Sequence, residues 1–414
     1  MIKKKSLVLF FLVTLIIFYI YTLFENASFL SFKYIMLISI MVICTLMKVR
    51  LTPSRDNILL FVIMVFIFTL YPLFFLYRNG DPQIFYYSIL SFIFILFCFW
   101  ISSVINYYNI LNDTVILCYF CLLFIILYSV ISTSYNIFSI NSILKSFDPI
   151  SRERPSFGFN HPNTAGNIAF LFLIVCFKVR ELIKSKKNPK IFLITSELFA
   201  VVYLVNSGSR GAITSLIFFY ISYYLFKTTI LKLNSKKIFL SSIFYVLLFL
   251  SIFKGIQSLN LLELNDVSSG RINNWSYTIA YLSNTKNLLL GIGYLNPSYF
   301  YSDNNMYNFL SSDNWYVYIC ITLGLFGLFI IVILFIYILV RIINKKQLNM
   351  HEDKLYITSL FLSMCYYSSL ENLIFNPSML ISLYLWIWIF SYFGNRYNKI
   401  SITKKGNIIQ ELKL

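Results

Sequence analysis

The chain has 414 residues, of which 59% are hydrophobic and only 12% are charged, and its mean hydropathy is +0.75. This composition excludes a soluble multidomain protein and indicates an integral membrane protein. The net charge of +18 does not indicate a nucleic-acid partner, because most basic residues flank apolar stretches, where they contact anionic membrane lipids.

About twelve apolar stretches follow one another along the chain, each close to the ~20 residues that a helix needs to cross a bilayer. The predicted spans are residues 6–24, 29–47, 58–77, 84–105, 114–132, 164–179, 190–206, 211–227, 238–254, 316–341, 355–375 and 378–394. They are continuously apolar, which excludes the alternating pattern of a transmembrane β-barrel. The predicted fold is all-α: a polytopic membrane protein of about 12 transmembrane helices with a large outer loop that carries a short surface helix.

Basic residues fall almost entirely in every second gap between spans, and this predicts the side of each loop, because Lys and Arg flanking a span stay cytoplasmic. About 25 of the 34 basic residues lie in gaps that this rule places inside. The N-terminal MIKKK and its following span show no cleavage site and are predicted to be an uncleaved anchor. Both termini are therefore expected to be cytoplasmic.

The spans and loops divide the chain into three predicted parts. Residues 1–150 are N-terminal transmembrane helices, residues 151–345 form a core that includes the outer loop 255–315, and residues 346–414 are C-terminal transmembrane helices and a cytoplasmic tail. Such a long loop is usually functional. A surface helix is predicted over residues 272–284 of this loop, because its apolar residues share one face at helical spacing.

Before the sixth span, the chain places Arg154 and the segment FGFNHPN (residues 157–163) on the predicted outer side. Its Asn160, His161 and Asn163 are candidates for contacts to sugar or phosphate. A solvated structural role is the alternative, with Asn163 capping the following helix.

Two outer segments place an arginine among small residues just before a predicted helix. SGSRG at residues 207–211 contains Ser209 and Arg210, and SSGR at residues 268–271 ends in Arg271. Free N–H groups and the positive end of the helix dipole attract an anion there, and arginine adds a bidentate donor for phosphate. Either arginine alone is equally compatible with an interfacial or exposed loop residue. Together on one face they favour a substrate with pyrophosphate.

Three acidic residues are further candidates for a function. Asp313, with Asn314 beside it, ends the large loop and is predicted to be a helix N-cap, a general base facing an outer cavity, or both. Glu371 lies near the predicted outer end of the eleventh span and is expected to line the same cavity. Glu197 lies in mid-span, where a carboxylate is either a proton relay or a tie between helices.

Aromatic residues of the loop, among them Trp315, are candidates for stacking on sugar rings.

Several classes of protein are disfavoured by motifs that the sequence lacks. The inner gaps contain no glycine-rich phosphate loop and the chain has no Asp-x-Asp, which disfavours an ATP-driven pump and a metal-dependent transferase of nucleotide-sugars. All seven cysteines lie in predicted spans, so neither a disulfide framework nor a zinc site is expected. The absence of an internal repeat disfavours an inverted-repeat transporter.

Over roughly residues 150–330, the chain resembles the O-antigen polymerase and ligase superfamily of bacterial membrane glycosyltransferases, which includes capsule and exopolysaccharide polymerases of the Wzy type. The resemblance rests on the order and placement of four segments: FNHPN before a span, SGSRGA opening a helical hairpin, SGR in the large outer loop, and DNWYVYICITLG returning to the membrane.

The resemblance implies a glycosyltransferase that moves an oligosaccharide from a polyprenyl-pyrophosphate donor to an acceptor hydroxyl, without metal or other cofactor. It implies the outer face of the bacterial cytoplasmic membrane, membrane lipids as surroundings, and a flippase and a chain-length regulator as protein partners. The family's two important arginines match Arg210 and Arg271, and Asp313 is the candidate base. The ligase branch has a histidine where this chain has Asp313, which favours a polymerase. A ligase, or a transporter or flippase of lipid-linked oligosaccharide, remains the alternative.

Overall fold

The computed structural model describes residues 2–24, 32–47, 53–79, 82–133, 154–183, 189–230, 271–284, 287–294, 314–344 and 351–394. Within these ranges all regular secondary structure is helical, and the one β-type contact is an isolated antiparallel bridge between Phe24 and Phe159. The predicted ninth span, residues 238–254, lies outside the described residues.

The helices follow the predicted spans closely. They are α1 (Ile2–Tyr21), α2 (Phe32–Leu46), α3 (Arg55–Val65), α4 (Tyr71–Asn79), α5 (Pro82–Tyr108), α6 (Leu111–Thr133), α7 (Pro162–Leu182), α8 (Pro189–Asn206), α9 (Arg210–Ile230), α10 (Arg271–Asn284), α11 (Trp315–Asn344), α12 (His351–Tyr367) and α13 (Leu380–Gly394). A π-helical stretch, Phe66–Leu70, joins α3 to α4.

Five stretches of these helices are long and apolar enough to cross a membrane. They are Lys4–Tyr21, Arg55–Phe75, Pro82–Tyr108, Leu111–Thr133 and Trp315–Asn344, and α2 and α13 are shorter apolar helices. The all-α membrane fold predicted from the sequence is confirmed for the described residues. The number of about 12 spans stays a prediction.

Helix α7 lies at the centre of the bundle. Eighteen of its 21 residues are buried, and it packs against α6, α8, α9 and α13. Its start follows from local chemistry, because Pro162 occupies the first turn, where a missing N–H costs nothing. His161 caps it by accepting a hydrogen bond from the Asn163 N–H at 3.1 Å. The residues before α7 thereby reach the middle of one end of the molecule.

Ion pairs gather at the other end of the bundle. They join residues near the predicted cytoplasmic ends of the helices: Lys5–Asp113 (2.7 Å), Arg341–Asp56 (3.1 Å) and Lys178–Asp353 (2.6 Å). Hydrogen bonds tie the same ends together, such as Ser54 Oγ to the Phe393 carbonyl at 2.9 Å. The helix ends that the basic residues predict to be cytoplasmic therefore do meet at one end of the described structure.

Helix α11 is interrupted at Gly324, where φ is 69° and ψ is −175°. Residues 287–294 of the outer loop pack into this break: the N–H groups of Ile292 and Gly293 donate to the carbonyls of Ile321 (2.8 Å) and Thr322 (2.9 Å). The break lies nine residues into the helix, or about 14 Å along its axis. Backbone groups freed at that depth need partners within the protein, and the inserted loop supplies them.

One predicted span is wrong at its end. The apolar run predicted a helix over residues 355–375, but α12 ends at Tyr367 and residues 368–379 are irregular. The Ser368 side chain accepts a hydrogen bond from the Ile374 N–H at 3.0 Å, and such a local contact between side chain and backbone competes with a continued helix. The carbonyls of this segment bond to other parts of the chain: the Trp315 N–H donates to Ser368 (2.8 Å) and Trp386 Nε1 donates to Ile374 (2.7 Å).

Candidate functional site

The irregular segment 368–379 lies against the starts of several helices. A Cβ atom added at Gly211, the second residue of α9, would lie 3.1 Å from Tyr367 and 3.4 Å from Leu370. One added at Gly166 in α7 would lie 2.7 Å from the Ser209 hydroxyl. The beginnings of α7 and α9 and the end of α12 are therefore in close contact, at the end of the bundle opposite the ion pairs.

Glu371 is the centre of a polar network at this point. Its Oε1 accepts hydrogen bonds from Asn163 Nδ2 at 2.6 Å and from Arg271 Nη2 at 3.1 Å. Arg271 also donates through Nη1 to the Leu370 carbonyl at 2.6 Å. On the other side, Arg154 Nη1 donates to Asn163 Oδ1 at 3.1 Å. We call these four side chains, Arg154, Asn163, Glu371 and Arg271, the arginine network.

The network is largely shielded from solvent. The side chain of Glu371 is 13% exposed and that of Arg271 is 23% exposed. The four side chains carry a formal charge of +1 between them, and charges shielded from water interact more strongly than exposed ones. Within the described ranges, no three His, Cys, Asp or Glu side chains are placed to hold a metal ion together.

Arg210 begins α9 and its side chain is exposed. It forms no ion pair with any described residue, whereas the neighbouring Gly211 packs on Leu370, the residue whose carbonyl holds Arg271. Ser209 is buried against α7. The structure thus places Arg210 and Arg271 at the same end of the molecule and around the same short segment, as the sequence predicted.

The remaining residues singled out from the sequence have structural contacts. The Asn160 N–H donates to the Leu23 carbonyl at 3.0 Å, which ties the start of α7 to the end of α1, and its side chain is exposed. Asn314 Oδ1 accepts from the N–H groups of Tyr316 (2.9 Å) and Val317 (3.3 Å). The helix cap expected of Asp313 is therefore supplied by Asn314. Asp313 lies outside the described residues, and its role as a base stays a prediction.

Residues 196–332 match the sequence family Wzy_C, which is described as O-antigen ligase. This segment is similar to the O-antigen ligase family. The predicted resemblance to the O-antigen polymerase and ligase superfamily is confirmed by this match. A comparison with curated proteins found no match.

The segment that matches the family, residues 196–332, holds only part of the arginine network. It includes Arg210, Arg271 and the break in α11 at Gly324, whereas Arg154, Asn163 and Glu371 lie before or after it in the chain. The start of α7 and the segment 368–379 complete the site from outside the matched segment. The family consists of membrane glycosyltransferase-like ligases and polymerases, and the coarse function expected from the sequence agrees with it.

Glu197 also lies in the matched segment, but its carboxylate contacts residues outside the arginine network. Its carboxylate forms an ion pair with Arg180 and accepts a hydrogen bond from the Tyr220 hydroxyl at 3.4 Å. These partners belong to α7 and α9, so Glu197 joins three helices. Of its two predicted roles, the tie between helices is the one that these contacts support.

Two groups at the site were missed by the sequence analysis. The Leu370 carbonyl holds Arg271, and no side-chain pattern indicates a main-chain acceptor. The Tyr367 hydroxyl donates to Asn167 Oδ1 in the buried start of α7. Asn167 follows Asn163 by four residues and therefore shares its helix face, so this polar pair inside an apolar span was the available indication.

Proposed function

We propose that the protein is a polysaccharide polymerase, which transfers an oligosaccharide from a polyprenyl-pyrophosphate carrier to a sugar hydroxyl on the outer face of the bacterial cytoplasmic membrane. The observation that carries the proposal is the meeting of the arginine network and Arg210 at one end of a membrane bundle, part of which is similar to the O-antigen ligase family. Positive charge held at the headgroup level suits a lipid diphosphate.

The reaction we infer is a direct displacement at the anomeric carbon. The acceptor hydroxyl attacks, the bond from the anomeric carbon to the carrier's pyrophosphate breaks, and the configuration inverts. Pyrophosphate leaves readily only when its growing negative charge is neutralised. A charge-assisted hydrogen bond is worth about 1.5–3 kcal/mol, or roughly ten- to a hundredfold in rate if it forms fully in the transition state.

Arg210 and Arg271 have different parts in this reaction. Arg271 is held by Glu371 and by the Leu370 carbonyl, so its guanidinium is positioned before substrate arrives and needs little reorganisation. Arg210 is exposed and stands at the positive end of the α9 dipole, where N–H groups of the first turn add to its attraction for phosphate. We assign the carrier diphosphate to the space that these two arginines share.

The proton of the acceptor hydroxyl needs a base. We assign it to Asp313, which directly precedes the cap of α11 at Asn314. General-base catalysis of this kind contributes typically about 10²–10⁴-fold. The reaction we propose uses neither a metal ion nor a nucleotide.

The direct test is reconstitution of the full-length protein in lipid nanodiscs with a polyprenyl-pyrophosphate-linked repeat-unit oligosaccharide, followed by sizing of the glycan. The wild type is expected to form chains of several repeat units. Arg210→Ala and Asp313→Asn are expected to leave single units, while Arg341→Lys, at the opposite end of the bundle, behaves as the wild type. A product that never exceeds one transfer, or donor that is moved but not consumed, contradicts a polymerase.

A ligase is the second candidate, because the matched family is described as O-antigen ligase. It differs from a polymerase in its acceptor, since a ligase moves finished glycan to a different molecule. Supplying the lipid-linked repeat unit as the only sugar therefore separates the two: a polymerase extends it and a ligase does not. An experiment in cells distinguishes a flippase from a polymerase. Loss of a flippase traps the lipid-linked repeat units on the inner side of the membrane, whereas loss of a polymerase lets them accumulate on the outer side.

A further inference from the structure

A cavity of about 260 Å³ lies between the end of α7 and the start of α8. Five residues line it: Arg180, Ile183, Lys190, Leu193 and Ile194. Arg180 follows Lys178 by two positions, and Lys178 belongs to the ion pairs at the predicted cytoplasmic end of the bundle. The cavity is therefore at the end opposite the arginine network, and the proposed reaction does not use it.

The cavity continues into an apolar face of α8 that points away from the protein. Lys190 is exposed, Ile194 is 51% exposed and Leu198 is 61% exposed. These three residues are spaced four apart and therefore lie in one row along the helix. The row begins with a cation at the helix start and becomes apolar toward the middle of the span. A ligand with a charged end and an apolar remainder matches this order.

Arg180 adds a second cation deeper in the bundle. Its guanidinium forms an ion pair with Glu197, which follows Lys190 by seven residues and lies about 10 Å further along the α8 axis. The Arg180 side chain is nevertheless 47% exposed. A guanidinium has five N–H donors, and one carboxylate occupies only some of them. Exposed donors at the side of a membrane helix are costly unless a polar group reaches them.

The charges at the cavity match those of one phosphodiester. Arg180 and Lys190 are positive and Glu197 is negative, so the three groups leave a formal charge of +1. Lys190 also stands in the first turn of α8, where the helix dipole favours an anion. Basic pockets between membrane helices on the cytoplasmic side are known to bind anionic lipid headgroups.

The size and the walls of the cavity favour a lipid over a soluble anion. Pockets that enclose a whole drug-sized ligand measure about 300–1,000 Å³, so this cavity has room for a headgroup while acyl chains remain in the bilayer. Three of its five lining residues, Ile183, Leu193 and Ile194, are apolar. Covering them with hydrocarbon is favourable, whereas a free phosphate leaves them uncovered.

We propose that this cavity binds the headgroup of one anionic phospholipid from the inner leaflet. Lys190 and Arg180 contact its phosphate, and an acyl chain runs along Ile194 and Leu198. The proposal does not depend on the polymerase function, because the residues that carry it take no part in the proposed reaction.

The test is a lipid titration of the full-length protein in detergent micelles, followed by native mass spectrometry, which gives a Kd for each bound lipid. The probes are phosphatidylglycerol, which is anionic, and phosphatidylcholine with the same acyl chains, which is zwitterionic. The wild type is expected to bind one phosphatidylglycerol about tenfold more tightly than phosphatidylcholine. Lys190→Gln should remove this difference and Lys190→Arg should retain it. Lys227→Gln, at an exposed lysine in the last turn of α9, is the matched control and leaves the Kd unchanged.

Glu197→Gln is expected to act in the opposite direction. It removes the carboxylate that competes with the phosphate for Arg180, so the Kd for phosphatidylglycerol should fall about threefold. A rise in this Kd would show that Arg180 does not contact the phosphate. If Glu197→Gln does not fold, the variants of the exposed Lys190 decide the question.

Three results would overturn the lipid site. The first is an equal Kd for the two lipids in the wild type, which would indicate unspecific contact with the surrounding bilayer. The second is a Lys190→Gln variant that keeps the wild-type preference. The third is displacement of the bound lipid by an excess of inorganic phosphate, which would identify a soluble anion as the ligand.

Discussion

At the scale of single residues, Asn163 and Glu371 are the positions on which the site depends. Each joins two groups: Asn163 donates to Glu371 and accepts from Arg154, and Glu371 accepts from both Asn163 and Arg271. Neither is an arginine, yet together they set where the arginines stand. Both residues are substrate-binding candidates from the sequence, which stays a prediction, and their contacts show that they hold other residues of the site.

The ion pair of Arg271 with Glu371 is expected to stabilise the fold as well as the site. Glu371→Ala should lower the free energy of unfolding by about 1–3 kcal/mol, because it leaves a shielded guanidinium without its carboxylate. Arg271→Ala should cost a similar amount, and the double variant less than the sum of the two. Unfolding in mixed micelles measures all three. Strictly additive losses would show that the pair contributes nothing.

A substitution at Asn163 tests which of its side-chain atoms donates a hydrogen bond and which accepts one. Asn163→Asp keeps an oxygen for Arg154 but replaces the amide that donates to Glu371 with a second carboxylate. It should therefore destabilise the protein more than Asn163→Ala, by about 1–2 kcal/mol, because two like charges are brought together. Thermal unfolding of the two variants side by side checks the order. An aspartate variant as stable as the alanine variant contradicts the assigned contact.

At the scale of elements, the break in α11 decides how the large outer loop is anchored. The N–H groups of Leu325 and Phe326 donate to the carbonyls of Leu288 (2.9 Å) and Leu289 (3.0 Å), so loop and helix exchange hydrogen bonds in both directions. Two glycines make this approach feasible. A Cβ atom on Gly291 or on Gly324 would lie 2.5 Å from the main-chain nitrogen of the other.

Substituting either glycine should release the loop. Gly291→Ala and Gly324→Ala each place a side chain at positive φ, 81° and 69°, and against backbone that has no room for it. We expect each to lower the free energy of unfolding by about 2–4 kcal/mol. Leu325→Ala, at a half-exposed position beside the break, is the control and should cost less. Equal effects in all three variants would show that the close approach is not required.

At the scale of the whole molecule, charge is divided between the two ends of the bundle. Acidic and basic residues pair at one end, as in Lys178–Asp353 and Arg341–Asp56, whereas the other end holds an excess of arginine around Glu371. This division agrees with the sidedness that basic residues predict from the sequence. We therefore expect the end with the arginine network to be the outer one.

Sidedness can be measured by cysteine labelling in intact spheroplasts with a membrane-impermeant maleimide. The native cysteines leave a low background, because five of the seven are buried and two partly buried. Arg210→Cys should be labelled without permeabilisation and Lys190→Cys only after it. The reverse pattern would place the arginine network in the cytoplasm and remove the basis for a polymerase that acts on the outer face.

Membrane class, helical fold, most helix positions and the family of the central segment were all accessible from the amino acids alone. Each depends on properties of a contiguous stretch, such as its apolar length, its flanking charge or its cap, and the bilayer provides a fixed reference for them. Because these properties belong to a contiguous stretch, they also explain the error at residues 368–379. The stretch is apolar enough to predict a helix, but its backbone is irregular, and its carbonyl groups accept hydrogen bonds from distant residues.

Contacts between distant segments needed the folded chain. Arg154 is nine positions from Asn163, but Glu371 is 208 positions away and reaches it only because the segment after α12 lies against the start of α7. The seating of the outer loop at Gly324 has the same origin. Local sequence patterns indicate which side chains are able to bind a ligand. Only tertiary packing determines which of them become neighbours, because it decides which distant surfaces are buried against each other.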